Sequence, residues 1–184
     1  MKNFFAKTFH IILAALVTLP TLAWSVSVPN ADTPVFYLVS SSTSSSNLLP
    51  VRMSSTGNGY ASLTGTGVPA QFYFYQGRLT IYDPNNNSLP YFPLINSFQN
   101  DVASCDTFGA LVFVQGGSSN KCAKSSSFQI QSNGQNSQLG AELVFNYVGG
   151  FYSCSNGQEV FYKLNPSDGP TGCDRIHLWT VPTA

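Results

Sequence analysis

The chain has 184 residues with 8 basic and 8 acidic side chains; 43% of it is hydrophobic, 14% aromatic and only 9% charged. An ordinary soluble domain carries about 25% charged residues, so polarity here comes from Ser, Thr, Asn, Gln and Gly. Without clustered Lys and Arg to meet phosphates, nucleic acid is a poor partner.

Lys2 and Lys7 give a basic start, Ile11 to Leu22 a mostly apolar run, and Ala23-Trp24-Ser25 a small-x-small cleavage site. Residues 1–25 are expected to be a secretory signal peptide. Thr18 and Pro20 interrupt the run, which falls short of the roughly 20 apolar residues of a membrane span. Residues 26–184 then form one domain. Its net charge is −2, because Lys2 and Lys7 leave with the leader. The last residues, Trp179 to Ala184, carry no hydrophobic tail, so no membrane anchor is expected in the mature form.

Along the domain, short alternating runs stand between Gly, Asn, Pro and Ser clusters, and no long stretch has helical spacing. Val35 to Val39 reads as a strand, followed by the Ser-rich run 40–46, expected to be a mobile loop whose seven hydroxyls are acceptors for O-linked sugar. Gly57 to Gly67 reads as a flexible loop, since no Lys-Ser/Thr follows to make a phosphate loop. Gln71 to Tyr75 alternates Phe72 and Phe74 against Tyr73 and Tyr75, and turns at Gln76-Gly77 into Leu79 to Tyr82, the clearest hairpin of the chain. Asp83 to Leu89 reads as an exposed loop carrying the sequon Asn86-Asn87-Ser88, so Asn86 is the expected glycosylation site. Pro90, Pro93 and the stretch to Ser104 read as irregular. Further strands are expected at Ala110 to Val114, Ser127 to Gln131, Glu142 to Val148, Glu159 to Leu164 and Arg175 to Val181, bounded by Gly116-Gly117, Asn133-Gly134, Gly149-Gly150 and Asn156-Gly157.

Such spacing predicts an all-β fold, a single antiparallel barrel or sandwich. A β-trefoil is one way to close it, although Phe72 to Leu79 has only a loose second copy at Phe128 to Leu139 and no clear third.

Cys105, Cys122, Cys154 and Cys173 all follow the leader, and an even count in an exported chain predicts two disulfides. No CxxC pair occurs and the mature chain has one histidine, so neither a metal site nor a cofactor is expected. Three pairings are open. The preferred one, Cys105 with Cys122 and Cys154 with Cys173, closes two loops of under 20 residues, worth about 3 kcal/mol each in the chain-entropy account.

A nucleophilic active site would have to use His177. On the last strand it shares a face with Trp179, opposite Ile176 and Leu178, as a surface histidine beside an aromatic would. Glycoside hydrolysis needs two opposed carboxylates, and the eight acidic residues, Asp32, Asp83, Asp101, Asp106, Glu142, Glu159, Asp168 and Asp174, are scattered singly. No catalytic residue is therefore selected. Aromatic planes also stack on sugar rings, and Tyr73, Tyr75, Tyr82 and Tyr91 are the candidates for that.

Towards the end of the chain come Phe151-Tyr152-Ser153-Cys154, Asn156-Gly157, Val160-Phe161-Tyr162-Lys163-Leu164 and Cys173-Asp174-Arg175-Ile176-His177-Leu178. Their order and spacing resemble the closing pattern of Pir-type cell-wall proteins of fungi. Phe74 to Asp83 resembles the earlier hairpin of that domain, and the mature chain is similar in layout to the PhiA-like cell-wall proteins of filamentous fungi. The resemblance implies a secreted structural protein of the fungal cell wall or extracellular matrix, in the PhiA-like case linked to development of spore-bearing cells, with no catalytic residues to carry over; cell-wall polysaccharide, glucan or mannan, is the expected partner. The N-terminal Gln-Ile/Val-x-Asp-Gly-Gln repeats and Lys-Arg processing site of Pir proteins are missing here. Gln129 to Gln135 comes close, with one residue too many and Asn133 in place of Asp, and the Cys105 to Cys122 spacing also departs from the Pir order. The alternative is a soluble secreted protein that binds carbohydrate or is directed at a host.

Overall fold

The computed structural model describes residues 25–54, 59–85, 90–132 and 139–183. The expected leader, apart from Ser25, the sequon at Asn86 and the Asn133-Gly134 turn lie outside the described residues. The strands are β1 Phe36–Ser41, β2 Arg52–Met53, β3 Ala61–Ser62, β4 Gln71–Tyr75, β5 Arg78–Ile81, β6 Tyr91–Asn96, β7 Phe108–Gln115, β8 Ala123–Lys124, β9 Phe128–Gln131, β10 Glu142–Phe145, β11 Gly150–Cys154, β12 Glu159–Lys163 and β13 Asp174–Pro182. Every ladder is antiparallel.

Six of these strands curl into a ring. β1 pairs with β4 and β13, β4 with β5, β13 with β10, and β10 with β9. β5 and β9 lie side by side without a ladder, which leaves one seam. The remaining strands come as three hairpins, β2–β3, β6–β7 and β11–β12, each inserted between two ring strands, with β8 added against β6. Strands β3, β7 and β12 touch one another, so the three hairpins meet in a cap. Strand, hairpin, strand, three times over, is the connectivity of a β-trefoil. Phe72, Phe128 and Ile176 occupy corresponding ring strands, β4, β9 and β13, and all are buried. Hydrophobicity repeats there while residue type does not.

Strict alternation fills the ring. Phe36 and Leu38 on β1, Phe72 and Phe74 on β4, Leu79 and Ile81 on β5, Leu143 and Phe145 on β10, and Ile176 and Leu178 on β13 all point inward. Aromatic rings tie the layers together, Phe36 to Phe72 at 6.3 Å, Phe72 to Phe113 at 6.0 Å and Phe145 to Tyr162 at 4.8 Å between centroids. The expected hairpin is present, and Gln76 and Gly77 both take positive φ, 49° and 72°, as a tight two-residue turn requires.

Several local expectations need correction. The run Gly57 to Gly67, expected as a flexible loop, contains β3, with Ala61, Ser62 and Leu63 buried, and the strand expected over Glu142 to Val148 ends at Phe145, because Asn146 and Tyr147 both take positive φ. The segment from Pro90 onward is not irregular throughout, because β6 pairs with β7 along its whole length. Pro93 is tolerated since Phe113, opposite it, sends its N–H away to the Gly59 carbonyl at 2.6 Å, so this rung asks no donor of the proline. The run Phe151 to Cys154 also forms a strand, beginning at Gly150. The Ser-rich run is not a loose loop. Ser40 and Ser46 are buried, Ser40 Oγ donates to the Ser46 carbonyl at 2.5 Å, Ser46 Oγ meets Ser153 Oγ at 2.6 Å, and Ser41 Oγ accepts the Trp179 indole N–H at 2.9 Å. Ser40 and Ser41 close β1 in its ladder with β13, and short polar side chains tie down the residues that follow.

Both preferred disulfides form, Cys105–Cys122 and Cys154–Cys173. The second has a simple cause in register. β11 and β13 pair Phe151 with Ile176 and Ser153 with Asp174, so the next facing pair along the ladder is Cys154 and Cys173, with Cα atoms 4.3 Å apart. Beside it, buried Lys163 donates to the Pro170 carbonyl and lies over the Tyr152 ring at 5.2 Å. Burial pushes its pKa down, partly opposed by Asp168. The Asp168 carboxylate is held below its ordinary range first by the Thr107 hydroxyl, which donates at 2.6 Å, and then by the Asn165 N–H at 3.0 Å.

Candidate functional site

Alternation that sends Phe36, Leu38 and Phe72 inward turns Tyr37 and Gln71 outward, and the register sets those two opposite each other. The Gln71 amide donates to Tyr37 Oη at 2.8 Å. Among the described residues that bond leaves the Tyr37 O–H and the Gln71 side-chain oxygen, Oε1, to serve a ligand. The main-chain N–H of Tyr82 donates to the main-chain carbonyl of Gln71 at 2.8 Å, which fixes Tyr82 just past β5 on the same outer wall.

Around these residues lies an open cleft of about 500 Å3. Tyr37, Tyr82 and Tyr91 supply its aromatic walls, Met53, Pro69 and Ile81 its apolar floor, and Gln71, Asp83 and Asn85 its polar groups. Asp83 accepts the Asn85 N–H at 2.9 Å, a short Asx turn that sets Asn85 at the rim. Asp83 is the only charged side chain among the described lining residues. Half-buried tyrosine planes combined with amide and hydroxyl groups suit a ligand that has an apolar ring face and a polar edge. The size falls in the range of ordinary small-ligand sites.

Of the four tyrosines named from sequence, two line this cleft. Tyr82, just past the end of β5, and Tyr91, at the start of β6, do so. Tyr73 does not present a stacking plane: it is 8% exposed, meets the edge of Tyr82 at 6.5 Å, and its phenol pKa is raised by burial and then by neighbouring Tyr75. Its place is under Tyr82, as a buttress. Tyr75 is exposed at the hairpin tip, outside the cleft. Tyr37 was missed from sequence, although its position between inward Phe36 and Leu38 carried the signal.

His177 is exposed on β13, with its ring stacked on Trp179 at 6.1 Å between centroids and 24° between planes. Ile176 and Leu178 are buried on the other face, the alternation expected from sequence. Its Nδ1 meets Glu142 Oε1 at 2.6 Å. The one hydroxyl among the described residues lining the cleft beside it belongs to Tyr147, and no cysteine lines it.

Comparison of the chain with family models, with curated proteins and with solved structures finds no match.

Proposed function

We propose that this chain is a secreted fungal protein that acts by holding polysaccharide, as a structural component of the cell wall or extracellular matrix, and not by catalytic turnover. The tyrosine cleft carries this reading. Tyr37, Tyr82 and Tyr91 enclose a groove whose polar groups are amides, hydroxyls and the single carboxylate of Asp83, acceptors and donors that meet the hydroxyls of a neutral sugar chain such as glucan or mannan. Two disulfides and a low-charge surface support an extracellular setting. The closing motif supports the wall and the link to spore-bearing cells, by its resemblance to the Pir-type and PhiA-like proteins.

Depletion of the purified protein by insoluble glucan and by mannan beads tests the cleft. Tyr82→Ala and Tyr91→Ala should each weaken retention about tenfold, the loss of roughly 1.4 kcal/mol of stacking, with both variants still folded by circular dichroism at the assay temperature. Retention equal to the parent in both variants would remove the cleft from the function. Stepwise extraction of native walls with detergent, reductant, mild alkali and glucanase separates a wall component from a soluble carbohydrate-binding or host-directed protein, which would leave with detergent or appear in the medium.

A further inference from the structure

We infer that a second cleft, between the β10–β11 turn and the start of β13, is a site for an acidic glycan: a sugar chain bearing an oxyanion, either a carboxylate or a phosphodiester. It measures about 300 Å3 and includes Gln131, Glu142, Tyr147, Gly150, Arg175 and His177 among its lining residues. Glu142 would ordinarily repel an anion, but both its oxygens are engaged. Oε1 meets His177 Nδ1 at 2.6 Å and Oε2 accepts from the Gln131 amide at 2.9 Å.

Arg175 is different. Its guanidinium lies against Gly150, where a Cβ would stand 3.2 Å from Nε, and among the described residues it joins no ion pair. It is exposed and keeps its fork of N–H donors for a ligand. The carboxylate is thus satisfied internally while the guanidinium is not, so the cleft presents a surplus of donors.

Tyr147 supplies the sugar-facing half. It is 62% exposed, and with Asn146 it holds a positive φ of 56°, in a turn where a bulky side chain is rare. A large apolar plane kept in a strained backbone beside donors is the kind of feature found at ligand clamps. Oxyanion to Arg175 and ring face to Tyr147 together define the ligand class.

Titration calorimetry with an oligouronate, a phosphorylated oligosaccharide and a neutral oligosaccharide of the same length tests this on the intact chain. The parent should bind one or both acidic probes at least about tenfold more tightly than the neutral one, as a charge-assisted pair requires. Which acidic probe binds identifies the source of the oxyanion. Arg175→Gln should abolish that preference. Tyr147→Gly should weaken binding while easing the backbone, so unfolding is not its cause. Equal affinity for all three probes, no binding of any, or acidic binding unaffected by both variants would overturn the proposal.

Discussion

The ring and the cap are built from the same chain by different means. Ring strands alternate cleanly and meet through apolar side chains, with Phe72, Phe128, Leu143, Ile176 and Leu178 almost wholly buried. The cap is assembled from hairpins whose strands are as short as two residues, and polar contacts stitch them together. The Gly157 carbonyl takes the Leu63 and Thr64 N–H groups at 2.7 and 3.1 Å and the Ser62 hydroxyl at 3.2 Å. Packing therefore organises the ring, while the cap adds directed bonds to the apolar side chains, Phe113, Phe151 and Val160 among them, that it sends into the same core. Burial is paid back through area removed from water, whereas a polar contact yields only about 0.5–1.5 kcal/mol net.

Perturbing each region should expose that difference. The largest effect belongs to the ring: Phe72→Ala opens a hole at its centre and should cost about 3–5 kcal/mol in urea unfolding. A loss under about 1 kcal/mol would mean the ring is not the organising core. Replacing Cys154 and Cys173 together by Ser should cost about 2–4 kcal/mol, less than the ring variant, and hydrogen exchange should rise first in β11 and the start of β13. Uniform exchange across both regions would erase the distinction between ring and cap.

The smallest effect concerns Asp168, at the cap margin. Its native pKa is lowered, chiefly by the Thr107 hydroxyl, so its stabilising contribution is complete above the ordinary carboxylate value of 3.8 and fades as pH falls through the lower native value. Asp168→Asn should lower the Tm slightly near neutrality, and the gap to the parent should close in strong acid. A gap that stays constant with pH would assign the effect to shape instead of charge.

The ring was legible in the sequence because its rule is local. Phe36-x-Leu38, Phe72-x-Phe74 and Ile176-x-Leu178 announce their faces by alternation alone, and the Gln76-Gly77 turn announces its hairpin. The cap was less so, since β6 contains a proline whose harmlessness depends on where Phe113 sends its N–H. The same holds for the clefts. Tyr82 was found as an outward aromatic of a regular hairpin, but its union with Tyr37 and Tyr91 needs the pairing of β1 with β4. Tyr147 gave no signal, because an Asn-Tyr step does not advertise a left-handed turn.

The longest consequence comes from the ladder between β1 and β13. Phe36 faces Pro182 and Ser41 faces His177, so both flanks of the domain leave from the same end of one strand pair. A load applied across those flanks would separate this pair one rung at a time from the Phe36 end, instead of shearing all its bonds together. Tethered by both flanks within a stretched matrix, the domain would be a weak link that opens progressively, while a tether at one flank would leave the ring unloaded.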